Sequence, residues 1–198
     1  MKLSLKSLVI LFVIGILKLS TAAGQTQLSI LGEYGRTQIG EGDKTAGLGL
    51  GGALRFNLSK AFSLGIQSGY LRFEKENNTF FSSATLQLTL IPVLVEGQYV
   101  FDLGGFNPYL RLGAGGHMWY TKSSGTVRSG GILLPANTSS ETKFDPSLVP
   151  AIGVQLKINS SIWFDVSGRY HLVFTEGENS KATSIQFGFT FILGSSSE

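Results

Sequence analysis

After an apolar N-terminal stretch, apolar and polar side chains alternate with a period of two along the whole chain, and no segment sustains a 3.6-residue apolar period. That alternation predicts strands with one apolar and one polar face. A first strand is expected over Gln27–Arg36, with Leu28, Ile30 and Tyr34 opposed to Ser29, Glu33 and Gly35. A second, Gly47–Leu58, alternates Leu48, Leu50, Leu54 and Phe56 with glycines, Ala53 and Arg55; a third, Phe62–Phe73, sets Phe62, Leu64, Ile66 and Tyr70 against Ser63, Gly65 and Gln67. The fourth, Ala84–Phe101, changes phase, because Gln87 and Thr89 are the polar positions before Pro92 whereas Glu96 and Gln98 are the polar positions after it. A bulge at Pro92 is expected to absorb the slip, since proline cannot donate to a ladder. Four more strands follow at Asn107–Tyr120, Leu148–Ile158, Ile162–Phe174 and Ser184–Leu193.

The connections alternate in length. Leu58–Phe62, Asp102–Phe106 and Asn159–Ser161 are short, while Thr37–Ala46, Glu74–Ser83, Thr121–Phe144 and Thr175–Thr183 are long and polar. Short turns on one side and long loops on the other are the pattern of an antiparallel barrel that crosses lipid, with both termini at the short-turn end. The expected fold is therefore all-β: an eight-stranded antiparallel up-and-down transmembrane β-barrel.

The composition of the two faces supports lipid over water. The apolar faces are bulky, with aromatics gathered near strand ends: Phe56, Phe62, Tyr99, Phe101, Tyr109 and Phe164 on the short-turn side, Tyr34, Tyr70, Tyr120, Tyr170 and Phe174 on the loop side. The opposite faces mix glycine with Glu33, Arg55, Glu96, Arg111, Lys157, Asp165 and Arg169. In a narrow barrel the glycines make room for these long side chains, and acids pair with bases in a lumen charge network. A soluble barrel with its apolar face turned inward is the alternative, because period-two faces alone look the same in either medium.

Residues 1–24 read as a signal peptide and 25–198 as the barrel domain. Lys2 and Lys6 precede the apolar run Leu8–Leu17, which is too short to span a bilayer, since that takes roughly 20 residues, and Thr21–Gly24 are small. The formal charge is +3, from 16 basic and 13 acidic residues, but Lys2, Lys6 and Lys18 leave with the signal and the remainder is balanced. A balanced chain carries no electrostatic footprint for nucleic acid, and a chain without cysteine has no disulfide framework.

Three segments then resemble a known family. Ile91–Phe101 (IPVLVEGQYVF), Asn107–Gly116 (NPYLRLGAGG) and Ser167–Gly177 (SGRYHLVFTEG) are similar to the small porin-like outer-membrane β-barrel proteins of Gram-negative bacteria, the OmpA, OmpX and OmpW type of barrel. The resemblance implies an outer-membrane location, periplasmic termini, extracellular loops, and outer-membrane lipid and the barrel-assembly machinery as partners. It also implies that Gln186, Gly188, Phe191 and Leu193 form the final-strand assembly signal, although Gly194–Glu198 continue past the usual terminal aromatic.

Chemistry is harder to find. Gly47, Gly49 and Gly52 spell a dinucleotide-loop pattern, but the residues that follow continue as strand and no helix begins there. Asp165, Ser167, Arg169 and His171 share one polar face, yet neighbours two apart on a strand lie roughly 7 Å apart, beyond the reach a catalytic triad needs. His117 stands alone at a strand end, which suits rim hydrogen bonding better than a metal site. The expectation is thus a non-enzymatic outer-membrane barrel without cofactor or metal, its lumen filled by side chains and its role structural or interactive. A narrow channel or small-molecule transporter is the first alternative, and a surface adhesin acting through residues 121–144, with the apolar tip Ile132–Pro135, is the second.

Overall fold

Each alternating run folds as a strand, and the eight close on themselves. The computed structural model describes residues 25–38, 44–78, 82–129, 132–175 and 180–193, so the expected signal and the C-terminal tail lie outside the described residues. The strands are β1 (Thr26–Gln38), β2 (Lys44–Asn57), β3 (Phe62–Asn78), β4 (Ser82–Val100), β5 (Phe106–Ser129), β6 (Ile132–Lys157), β7 (Ile162–Val173) and β8 (Ser180–Leu193). Every neighbouring pair is antiparallel in sequence order, and β1 meets β8 from Thr26↔Leu193 to Thr37↔Ala182. No edge remains in that ring, which satisfies the backbone of every strand crossing an apolar medium.

Polar side chains hold the short turns. Ser59 Oγ accepts from Phe62 N at 3.0 Å between β2 and β3, and Asn159 Oδ1 accepts from Ile162 N at 2.8 Å between β6 and β7. The turn between β4 and β5 places Gly104 at φ 87°, a left-handed conformation that favours glycine, with Asp102 Oδ1 accepting its N–H at 3.0 Å.

The inside and outside of the barrel are inverted relative to a soluble protein. Leu48 and Leu50 are each 70% exposed and Ile152 is 67% exposed, while Arg55 and Glu96 are each 1% exposed. An apolar wall around a polar interior fits lipid outside and argues against the soluble alternative.

Two expectations need correction. No bulge occurs at Pro92: the register of β4 is the same before and after it, from Ser82↔Val127 to Val100↔Tyr109 against β5, and likewise from Ser68↔Val93 to Leu71↔Leu90 against β3. What changes at Pro92 is polarity rather than phase. Towards the long-loop end Leu88 and Leu90 turn into the lumen, where they pack with Leu71, Phe73, Leu86 and Trp119, so Gln87 and Thr89 face outward. The proline is accommodated by omission of the Gly69–Pro92 and Tyr70–Ile91 pairs from the ladder, while Ser68 Oγ donates to its carbonyl at 2.9 Å.

The second correction concerns the long loops at 74–83 and 121–144. Most of both segments is strand: β3 and β4 pair up to Asn78↔Ser83, and β5 and β6 pair up to Ser129↔Ile132 with one register shift near Ser123 and Gly125. Hydroxyl-rich segments continue the ladder above the barrel because pairing satisfies their backbone groups as well as water does.

Candidate functional site: the lumen network

Inward positions of six strands converge on one polar cluster. Glu96 of β4 sits at its centre, 3.2 Å from Arg55 Nη2 of β2, 3.2 Å from Arg169 Nη2 of β7 and 3.8 Å from Arg111 Nε of β5. Arg111 also reaches Asp165 at 3.5 Å and donates two hydrogen bonds to Gln98 Oε1, at 3.0 and 2.8 Å. Asp165 in turn accepts from Tyr109 Oη at 2.8 Å and Gln155 Nε2 at 3.1 Å, and Arg55 donates to Ser29 Oγ at 2.8 Å. Two carboxylates thus face three guanidiniums in an enclosed space, and Glu33 of the neighbouring cluster supplies the third negative charge that balances them, which keeps buried charge tolerable.

Glycine creates the room. A Cβ on Gly65 would lie 2.6 Å from Arg55 Cγ and collide with the backbone of Leu54, so the bulk of one strand occupies the space left by the next.

A second cluster lies around Glu33 of β1. Ser184 Oγ donates to Glu33 Oε1 at 2.5 Å and Gln186 Nε2 donates to Glu33 Oε2 at 3.0 Å. His171 Nε2 lies 2.9 Å from Ser184 Oγ, and His171 Nδ1 lies 3.0 Å from His117 Nε2. The hydrogen bonds can run in one direction, from His117 through His171 and Ser184 to the Glu33 carboxylate, with the ring protons assigned from that order. Gln67, with its amide nitrogen turned to Glu96, donates to both carboxylate oxygens and accepts from Gln186 Nε2 at 2.8 Å. It joins the two clusters into one network.

Six of the seven charged residues expected in the lumen are in this network. Lys157 is not: it is exposed at the short-turn mouth, its Nζ 6.0 Å from the Trp163 ring, and it helps to line a polar vestibule of about 740 Å³. Its side chain lies too close to the strand end to reach the acids. Sequence reasoning missed Ser29, Gln67, Gln98 and Ser184, although each occupies a lumen-facing position of the period-two pattern, and it placed Tyr109 in the short-turn aromatic girdle, whereas that ring is buried in the lumen with its hydroxyl on Asp165. Neutral polar side chains among glycines were the available signal.

Of the four residues in the expected final-strand signal, Gln186 and Gly188 face the lumen and are buried, whereas Leu193 is 45% exposed and Phe191 is half-buried on the outer face. A Cβ on Gly188 would strike the carbonyl of Ile30, so the final strand can approach β1 only without a side chain there.

The Ser184–His171–Glu33 group does not have the order of a hydrolytic triad. Serine and carboxylate both lie on the Nε2 side of His171, at 2.9 and 3.5 Å, while Nδ1 faces another histidine. Among the described residues no cluster of three or more His, Asp or Glu could hold a metal ion.

A closed eight-stranded barrel with an apolar exterior and an ion-filled lumen defines the class of small transmembrane barrels. The chain belongs to the outer membrane protein beta-barrel domain family, whose model matches residues 9–192. Its fold is similar to that of Ail, the attachment invasion locus protein of Yersinia pestis, in complex with a heparin analogue, at 15% identity over 86% of this chain and 99% of that one, with a TM-score of 0.57. A major outer membrane protein from Thermus thermophilus aligns at 10% identity over 85% and 99% with a TM-score of 0.53, and Neisserial surface protein A at 14% over 84% and 96% with a TM-score of 0.50. No curated protein matches the chain by sequence.

Proposed function

We propose that this barrel is a closed structural and interaction protein of the outer membrane, with short turns and termini in the periplasm and long hairpins at the cell surface, and without enzymatic activity. The carrying observation is the continuous network from Asp165 through Arg111, Glu96, Gln67 and Gln186 to Glu33, which fills the cross-section that a solute would need. Above it, Leu71, Phe73, Leu88 and Leu90 pack as an apolar cluster on the lumen side of β3 and β4. In a planar bilayer the wild-type protein is expected to show no steady conductance, while Arg55→Ala combined with Arg111→Ala opens a small leak. A robust ion-selective current through the wild type would replace this reading with that of a channel.

One observation favours a surface-binding role over a purely structural one. β6 pairs with β7 no higher than Ser147↔Val173, so its upper part, 132–146, rises beyond that ladder as part of the β5–β6 hairpin. Ail carries attachment and invasion in its name, and the likeness to it is one of fold. Deletion of 124–139 is expected to leave a folded, heat-modifiable barrel while reducing attachment of expressing cells to a host-cell layer. Unchanged attachment would leave only the structural role.

A further inference from the structure

The outer face of the barrel ends differently at its two rims. On three strands that run toward the long-loop end, the outward apolar run closes with a tyrosine, and the next outward residue is a cation: Tyr34 and Arg36 on β1, Tyr70 and Arg72 on β3, Tyr120 and Lys122 on β5. The first of these pairs is in contact: Arg36 Nε donates to Tyr34 Oη at 3.3 Å with its guanidinium 5.9 Å from the ring centroid. Arg72 Nη2 donates to Glu74 Oε2 at 3.2 Å. Lys181 of β8 is also exposed on this face. Among the residues whose side chains are described, the acid on the same face is Glu74, 3.2 Å from Arg72, and the outward cations Arg36, Arg72, Lys122 and Lys181 outnumber it. The polarity change at Pro92 belongs to the same zone, for Gln87 and Thr89 face outward in the pairs Gln87↔Lys122 and Arg72↔Thr89.

We infer that this rim is a docking ring for the phosphate groups of an anionic glycolipid in the outer leaflet, an inference that rests on the orientation given under Proposed function. Tyrosine marks the edge of the hydrocarbon, where its ring is apolar and its hydroxyl is wet. A cation two residues further along the strand stands in the headgroup layer. There Arg36 and Arg72 present planar forks suited to two phosphate oxygens, and Lys122 a point charge. The Tyr34 hydroxyl holds the Arg36 guanidinium and the Glu74 carboxylate that of Arg72 before lipid arrives, which lowers the cost of ordering them. At the short-turn end no outward tyrosine–cation pair occurs among the described residues; Lys60 and Lys157 lie on a turn and in the vestibule mouth.

The test compares the purified full-length barrel in phosphatidylcholine vesicles containing a bis-phosphorylated glycolipid with the same vesicles containing its dephosphorylated form. The readout is the unfolding temperature, taken from boiled and unboiled gel mobility. The phosphorylated lipid is expected to raise the midpoint. Arg36→Gln, Arg72→Gln and Lys122→Gln together are expected to abolish the rise and weaken lipid affinity about a hundredfold, since each cation near an anionic surface is worth roughly a fivefold change. Lys60→Gln with Lys157→Gln leaves the rise intact. An equal rise with both lipids, or an unaltered rise in the triple variant, overturns the inference. So does tighter binding of a soluble sulfated polysaccharide than of the phosphorylated vesicles, because the ring would then be a receptor for free polyanions. Both rims are accessible to added lipid when the barrel inserts in either direction, so protease cleavage of the long hairpins on intact cells tests the orientation separately.

Discussion

Glu96 receives guanidiniums from three different strands, and removing it leaves Arg55, Arg111 and Arg169 enclosed with only Asp165 and Glu33 to balance them. Breaking a buried ion cluster by deleting one member costs roughly 3–5 kcal/mol, more than the lost attraction itself, because the remaining charges stay desolvated. Glu96→Ala is therefore expected to lower the unfolding free energy of the barrel by that order, measured from urea titrations followed by tryptophan fluorescence in micelles. Lys157→Ala, in the exposed mouth, is expected to change stability by no more than about 0.5 kcal/mol. Both residues were legible in the sequence as charges on a polar face. The distinction between them was not, because alternation assigns a face and carries no information about depth along the barrel. The same gap explains why Gln67 escaped notice: a neutral amide gains its role only when β4 and β8 bring Glu96 and Gln186 within its reach.

At the scale of the strand, the period-two pattern assigned faces well and ends poorly. Leu50 and Val166 both lie on the outer face, Leu50 opposite Tyr70 and Val166 between Val154 and Phe187. Val166→Arg is expected to destabilise the barrel by roughly 2–4 kcal/mol, the cost of a charge facing the bilayer midplane, whereas Leu50→Arg, level with Tyr70 at the edge of the hydrocarbon, is expected to cost no more than about 1 kcal/mol, both read from folding titrations into vesicles. On β8, Gly188→Asp puts a side chain where the carbonyl of Ile30 lies and blocks the closing seam. Phe191→Ala removes a ring from the outer face of the same strand. A reduced yield of heat-modifiable protein is expected for both, and normal yields would show that the final strand tolerates them. The ends of β3 to β6 were misplaced because Ser-, Thr- and Asn-rich segments read as loops by composition, although paired hydroxyl-bearing residues extend a ladder readily once a hairpin is anchored below. Pro92 was misread for a related reason. A swap of polar and apolar faces imitates a one-residue slip unless the end of the hydrocarbon layer is placed between the two halves.

For the whole molecule, closure of the ring and the inversion of inside and outside followed from alternation, loop lengths and glycine content together. The activity did not, since a fold of this class hosts many roles. The N-terminal segment makes its own prediction. The apolar run Leu8–Leu17 cannot span a bilayer, so N-terminal sequencing of the membrane-inserted protein is expected to begin near Gln25, and an intact Met1 would contradict cleavage.

The tall β5–β6 hairpin is supported unequally on its two flanks. β4 accompanies β5 as far as Ser82↔Val127, whereas β7 leaves β6 at Ser147↔Val173, with Phe174 N donating to Pro146 O at 2.9 Å just above. A sideways load on the tip therefore acts through a lever arm on that junction and tears it bond by bond from the top, as a zipper opens, while the β4 side carries the same load in shear across many bonds at once. Two pairs below the junction the tear meets Pro150, where the ladder skips to Ala151↔Arg169 and has fewer bonds to resist it. The tensile limit of any tether formed at the hairpin tip is thus set by the β6–β7 seam, however strong the grip at the tip itself.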